Sequence, residues 1–352
     1  MTPARVRAAL SAARASHAPA GGRERFEAAF AEGYGMVELA GGMGYNEASA
    51  SLTGPCKTPW NTEFWSGGSS SGPGAATAAG LVAFSIGSET SGSIITPAAF
   101  SGVSGFRPTY GAVSRHGAMA LCWTLDKLGP MCRSAVDCSI VFKAIAGRDP
   151  LDPTSRDLPA TKFPEELPRE IRRRGRAIGR DVQRLFGRNP GAGIRIGVMK
   201  DSYEKAQPEV KENFLKSVEV LRKFGKVEMD VKLPDFPYGP AVGTIVDAEG
   251  AAAFRDLIES GGTQQLASPN GRVGGYAASL VTAVDYLHAM RLRIPMRRAW
   301  NEMFKKIDVL VAPSRATVSY PINKTFDQAY PGITATSPIG ASNLVGVPAI
   351  SI

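Results

Sequence analysis

Cysteine is scarce in this chain of 352 residues: Cys56, Cys122, Cys132 and Cys138, with no CxxC pair. That argues against a disulfide framework or a cysteine-built zinc site, and makes a reducing, cytoplasmic setting the expectation. Histidine is scarcer still, at His17, His116 and His288 only. A His-rich metal centre and Ser-His-Asp chemistry therefore start with few candidates, and no metal or cofactor is expected. The longest apolar run, Ala75–Gly87, has 13 residues and contains Thr77 and Ser85. A membrane span needs about 20 apolar residues, so none is predicted.

Acidic residues are missing from both places where positive charge collects. Residues 1–23 carry Arg5, Arg7, Arg14 and Arg23 and no acid, and residues 169–188 carry eight arginines against Glu170 and Asp181. Together these segments hold +10 of a net +9, which leaves −1 for the rest of the chain. The excess is peripheral, and no aromatic residues interleave with it as a nucleic-acid stacking platform requires. Solvated arginine-rich segments are expected, and no nucleic-acid partner.

What is present fits a globular chain. Hydrophobic residues make up 43% and charged residues 21%, which excludes disorder. Length alone suggests about two domains, and a chain of this size buries roughly three-quarters of its unfolded surface without disulfide or metal support. From Tyr34 to Gly74 glycine and serine dominate; an ordered loop packed through Trp60, Phe64 and Trp65 is expected. Gly74–Phe84 reads as a buried helix, and Ser85–Ile95 as loop with short strand character. Val136–Ala146 reads as a second helix, ended by Gly147, Pro150 and Pro153. Ile194–Met199 reads as a strand. A helix then opens with Pro208 at its first position and closes at Gly225, and Val227–Leu233 reads as a second strand. Val210, Phe214, Val218 and Leu221 lie on one face of that helix. This β-α-β unit predicts a helix-covered sheet. Tyr276–Phe304 reads as a long helical stretch with Pro295 inside it, and Val309–Ala312 as a buried strand.

Thirty-nine glycines raise the question of a phosphate cradle. Gly67–Gly74 lacks the GK[ST] ending of a P-loop, and Gly42-Met43-Gly44 lacks the third glycine and a preceding strand. Nucleotide binding is excluded on both counts. Two Ser/Gly loops flanking a small-residue stretch remain: Ser66-Gly67-Gly68-Ser69-Ser70-Ser71-Gly72 and Gly87-Ser88-Glu89-Thr90-Ser91-Gly92-Ser93-Ile94-Ile95. Successive backbone N–H groups in such turns can converge on an oxyanion. A serine closing one of them becomes a nucleophile where a base lies within reach.

These loops belong to a longer ordered series. Gly54-Pro55-Cys56-Lys57-Thr58-Pro59-Trp60-Asn61 precedes them. Gly105-Phe106-Arg107-Pro108-Thr109-Tyr110-Gly111, Leu125-Asp126-Lys127-Leu128-Gly129-Pro130-Met131, Ala146–Pro150 and Asp152–Ser155 follow, with Asn343–Ala349 near the C-terminus. In this order the landmarks resemble the amidase signature family. The resemblance implies an α/β fold, a mixed β-sheet core covered by α-helices on both faces, in one domain over 34–352. Residues 1–33 stand outside it, and a basic insertion falls at about 156–192. It further implies hydrolysis of a small-molecule carboxamide through a serine acyl-enzyme. Ser93 takes the nucleophile position and Ser69 the bridging position, which in the family follows a cis peptide bond. Backbone N–H groups of Thr90, Ser91, Gly92 and Ser93 form the oxyanion hole, and Cys122 and Trp123 border the acyl pocket. Ile95 and Ser91 stand where many relatives carry arginine and glycine.

One departure stands out. The family's catalytic lysine lies in a strand about 75 residues before the bridging serine, a distance this chain does not have ahead of Ser69. The pattern starts at Met36–Gly42, and the chain ends at Ser351-Ile352 where the family continues. The expectation is a relative shortened at both ends, without that lysine. Its open sheet edges would favour a second copy or a partner chain. Lys57, Lys127 and His116 are the substitutes to weigh as base, and each reads better as structural. Two alternatives accompany the general amidase: a non-catalytic binding remnant, and the glutaminase (A) subunit of a tRNA-dependent amidotransferase. Asp247–Phe254, which resembles general amidases, argues against the latter.

Overall fold

The computed structural model describes residues 55–157, 193–266, 269–333 and 337–352. The segment 1–33, the pattern start at Met36–Gly42 and nearly all of the basic stretch 156–192 lie outside the described residues. Instead of a loop, β1 (Lys57–Thr58) and β2 (Asn61–Trp65) form an antiparallel hairpin. Trp65 is buried against the rings of Phe100 and Tyr320. Trp60 stays exposed, its indole N–H donating to the Ser101 carbonyl at 2.7 Å.

The next helix, α1, spans Ser71–Ala78 rather than Gly74–Phe84. Pro73 fits its first turn, where backbone N–H groups have no helical partner to lose. Gly80, at φ +72°, then turns the chain, and Phe84–Glu89 becomes strand β3. After it come α2 (Ile95–Ser101), β4 (Ser104–Arg107), β5 (Lys127–Cys132) and α3 (Ala135–Ile145). Strands β3, β5, β4 and the C-terminal β9 (Ala349–Ser351) form one sheet in that order, every neighbouring pair antiparallel. Adjacent residues on a strand face opposite sides. Met131 packs with Ile94 and Ala98, whereas Leu128 and Cys132 pack with Val141, Phe142 and Ile145. Thus α2 and α3 cover opposite faces, as expected.

A second, parallel sheet carries the predicted β-α-β unit. β6 (Ile194–Met199) lies between β7 (Gly225–Val231) and β8 (Val309–Val311), with α4 (Pro208–Leu221) linking β6 to β7. Strand β8 is an edge, so Val309 is 44% exposed rather than buried. The antiparallel and parallel pairings therefore occupy separate sheets.

The remaining helices are α5 (Tyr238–Ala253), α6 (Arg255–Glu259), α7 (Pro269–Ala278), α8 (Ala283–Phe304), α9 (Phe326–Ala329) and α10 (Ile339–Val345). The stretch expected as one helix from Tyr276 is two, because Thr282 caps α8 by accepting the Asp285 N–H at 3.1 Å. Helix α8 continues through Pro295. Helices α5, α8 and α10 share a core with Cys122 and Leu125, which joins the C-terminal helices to the segment entering β5. No helix among the described residues is long and apolar enough to cross a membrane.

Candidate active site

The two Ser/Gly loops meet along the edge strand β3. Ser70 donates its N–H to the Ser93 carbonyl at 3.1 Å. Its hydroxyl accepts the Ser88 N–H and donates to the Ser88 carbonyl, both at 3.1 Å. These bonds of Ser70 join the loop that carries Ser69 to the turn that carries Ser93. The Gly68–Ser69 peptide bond is cis. Glycine is required where the loops touch: a Cβ on Gly87 would lie 2.9 Å from Ser70 Oγ, and one on Gly67 would lie 2.8 Å from Pro97 Cα.

Ser69 and Thr90 line a cavity of about 260 Å³, together with Trp123, His116, Met119 and Phe254. Ser93, 8% exposed, lies in the turn between β3 and α2 and is not among the cavity-lining residues. Cys122 does not line it either. Its side chain is fully buried and its thiol donates to Glu249 Oε2 at 3.1 Å. Burial, and then the charges of Glu249 and Asp126, push this thiol far above its ordinary range. Cys122 is thus an anchor of the cavity wall and not a pocket residue, while Trp123, next in sequence, reaches the cavity.

The segment Thr90–Ser93 is tied down at several points. Thr90 Oγ1 donates to Asp126 Oδ1 at 2.6 Å, and Asp126 Oδ2 accepts the N–H groups of Leu121 and Cys122, each at 2.8 Å. Gly92 takes φ +102°, a conformation that favours glycine, and its carbonyl accepts the Thr96 N–H at 2.8 Å. The buried carboxylate of Glu89 accepts the N–H groups of Ile94 and Ile95 at 2.9 and 3.1 Å and the Asn343 amide at 2.8 Å. Arg107 Nε stands 3.5 Å from it, both side chains having no solvent exposure. Burial alone would raise the Glu89 carboxyl; Arg107, the Asn343 amide and Lys127 outweigh it and hold the group below the usual carboxylate range. Glu89, Arg107, Asp126 and Asn343 all fall within the landmark motifs, which by themselves assign them no role. Their signal is a charged or amide side chain beside apolar residues, at the ends of β3 and β4, just ahead of β5 and on α10.

The three substitute bases fall in different places. Lys57 is exposed on β1. His116 is exposed in a turn, where its N–H donates to Ser114 Oγ at 3.2 Å. Lys127 is buried, pairs in register with Glu89 and donates to the Leu125 carbonyl. Cross-strand partners share a face. Ser88 and Leu128, partners on the other face, line the cavity, so Lys127 faces away from it. Burial, and then Arg107, lower its ammonium to about 7. Among the described residues no lysine lines the cavity, and no group of three or more His, Cys, Asp or Glu could hold a metal ion.

The family model described as Amidase matches residues 24–352. The chain belongs to the amidase signature family. The match starts at residue 24, ahead of the boundary expected after residue 33. The Glutamyl-tRNA(Gln) amidotransferase (A) subunit of Moorella thermoacetica is 33% identical over 343 residues, covering 90% of this chain and 65% of that protein. A chain from a vestigial protein complex, described as revealing the evolutionary origins of an s-triazine catabolic enzyme, superposes with a TM-score of 0.70. It shares 28% identity over 87% of this chain and 63% of its own. The Glutamyl-tRNA(Gln) amidotransferase (A) subunit of Thermotoga maritima gives 0.65 and 27% over 90% and 64%. The chain thus spans just under two-thirds of the relatives it matches. These members of the amidase signature family carry the same α/β fold.

Proposed function

We propose that the chain hydrolyses a carboxamide through an acyl-enzyme on Ser93. The observation that supports this most directly is the bond from the Ser70 N–H to the Ser93 carbonyl at 3.1 Å, which joins the loop carrying Ser69, a cavity-lining residue, to the Ser93 turn. Ser93 Oγ attacks the carbonyl carbon and yields its proton toward Ser69. Backbone N–H groups of Thr90, Ser91, Gly92 and Ser93 stabilise the oxyanion. The nitrogen takes up that proton as the C–N bond breaks, neutral ammonia or amine leaves, and water cleaves the ester, returning a proton to Ser93 Oγ. The lysine that the family pattern requires to finish this relay is at none of the described positions around the cavity.

The curated relatives favour the glutaminase (A) subunit of a tRNA-dependent amidotransferase over the general amidase that Asp247–Phe254 suggests. That stretch lies on α5 and its end. Its Glu249 accepts bonds from the Thr124 N–H and hydroxyl, 2.9 and 2.8 Å, and from the Tyr286 hydroxyl, 2.8 Å. Its resemblance is therefore explained by anchoring of the cavity wall and does not select a substrate. In the amidotransferase role, the chain would work beside partner chains. The test is labelling with a fluorophosphonate and peptide mapping, with ammonia release from glutamine and from a simple carboxamide measured in parallel. Label on Ser93 that Ser93→Ala abolishes supports the reading. Label elsewhere, or turnover retained by Ser93→Ala, overturns it.

A further inference from the structure

We infer that Glu89 is the positioning residue of the oxyanion segment, closing the loop Thr90–Ser93 onto its own first residue, with Asp126 as the second tether. This rests on the proposed acyl-enzyme at Ser93. Glu89 leaves β3 as the loop begins, and its carboxylate takes the N–H groups of Ile94 and Ile95, the two that follow Ser93. The loop is therefore pinned at both ends by one side chain. That side chain is itself fixed: Arg107 stands 3.5 Å away on β4, and Asn343 reaches it from α10, 254 residues along the chain, at 2.8 Å. Arg107 is held in turn by Ser342 Oγ at 3.1 Å and the Val347 carbonyl at 2.8 Å. On the cavity side the Thr90 hydroxyl is tied to Asp126 at 2.6 Å.

The arrangement costs buried charge. A carboxylate and a guanidinium without solvent contact are weak stabilisers, because desolvation offsets much of their attraction. Backbone N–H groups that meet an oxyanion, in contrast, must be held to a fraction of an ångström before reaction, and a shift of about 1 Å costs on the order of 10²-fold in rate. The pair is thus better explained by placement of the Thr90–Ser93 backbone than by stability. The sequence separation agrees: helix α10, distant from the serines in sequence, acts on them through Asn343 and Glu89.

The test follows two signals in the parent chain, Glu89→Gln, Glu89→Asp and Thr90→Val. One is the rate at which a fluorophosphonate modifies Ser93, read by intact mass; the other is amide hydrogen exchange of the peptide spanning 88–96. Gln keeps the shape but loses the charge, so modification should slow by about 10²-fold while Ile94 and Ile95 exchange faster. Asp, which keeps the charge, should recover part of both signals. Thr90→Val breaks only the half-buried tether and should slow modification by a smaller factor, with a melting temperature near the parent's. Parental exchange and parental modification rates in Glu89→Gln overturn the inference. If Glu89→Gln does not fold, a parental modification rate in Thr90→Val overturns it. If Ser93 is not modified even in the parent, the acyl-enzyme reading fails on its own, and the exchange of Ile94 and Ile95 in Glu89→Gln or Glu89→Asp still decides the role of Glu89.

Discussion

Ser69 and Ser93 carry different weights when each is removed. On the proposed acyl-enzyme no ester forms without Ser93 Oγ, so Ser93→Ala should abolish modification and turnover. Ser69 has value only as far as a base stands behind it. Among the described residues no lysine lines the cavity, and Lys127 faces the other side of the sheet. Ser69→Ala should therefore cost clearly less than Ser93→Ala in the same fluorophosphonate assay. In a complete relay the members are strongly non-additive, and losing one costs about as much as losing all. Equal, large losses at both serines would show that a base outside the described residues reaches Ser69. The loops that hold the two serines were legible because they are long, ordered motifs. Cys122 was misread as a pocket residue because its neighbour Trp123 faces the cavity, and sequence alone does not tell which of two adjacent side chains turns inward.

At the scale of the strand, glycine marks where backbone must approach backbone. A Cβ on Gly129 of β5 would lie 2.0 Å from the Phe106 carbonyl and 2.8 Å from Pro108 Cδ. Backbone cannot yield as a side chain does, so Gly129→Ala should cost about 3 kcal/mol or more in urea unfolding. Gly80 has nothing within 4 Å of its added Cβ and only its φ of +72° to oppose alanine, so Gly80→Ala should cost about 1–2 kcal/mol. Comparable losses at the two sites would contradict this ranking. Elements whose signals are local were legible before the structure. Strand β6 falls at Ile194–Met199 as expected, and α4 starts at Pro208 because proline suits the first helical position. Elements set by distant partners were not. Helix α1 ends at Ala78 although apolar residues continue, since Phe84–Glu89 pairs with Lys127–Cys132. The break before α8 lies at Thr282, where a local cap signal, Thr282 with Asp285, was available and unread.

Across the whole molecule, burial of Lys127 ties stability to pH. The β3–β5 pairing places it opposite Glu89 and beside Arg107 in a closed interior. No composition count would single out this lysine, because the groups around it come from β3, β4 and the segment entering β5. Desolvation, and then the Arg107 charge, bring its ammonium from an ordinary 10.5 to about 7. Folding therefore favours the neutral amine. Between about pH 7 and 10.5 the unfolded chain binds a proton that the folded chain does not, so stability rises with pH through that window. The gain is complete above the unfolded value and is lost as pH falls through the folded one. At about 1.4 kcal/mol per pH unit, this group alone contributes roughly 2–3 kcal/mol between pH 7 and 9. Lys127→Met removes the titration while Arg107 still faces Glu89. Thermal unfolding at pH 7, 8 and 9 should show the parent's melting temperature gaining on the variant's at each step, the variant being flatter throughout. Parallel curves would mean that Lys127 keeps its proton in the folded chain throughout this range, held by Glu89 and Asp126 against the cost of burial.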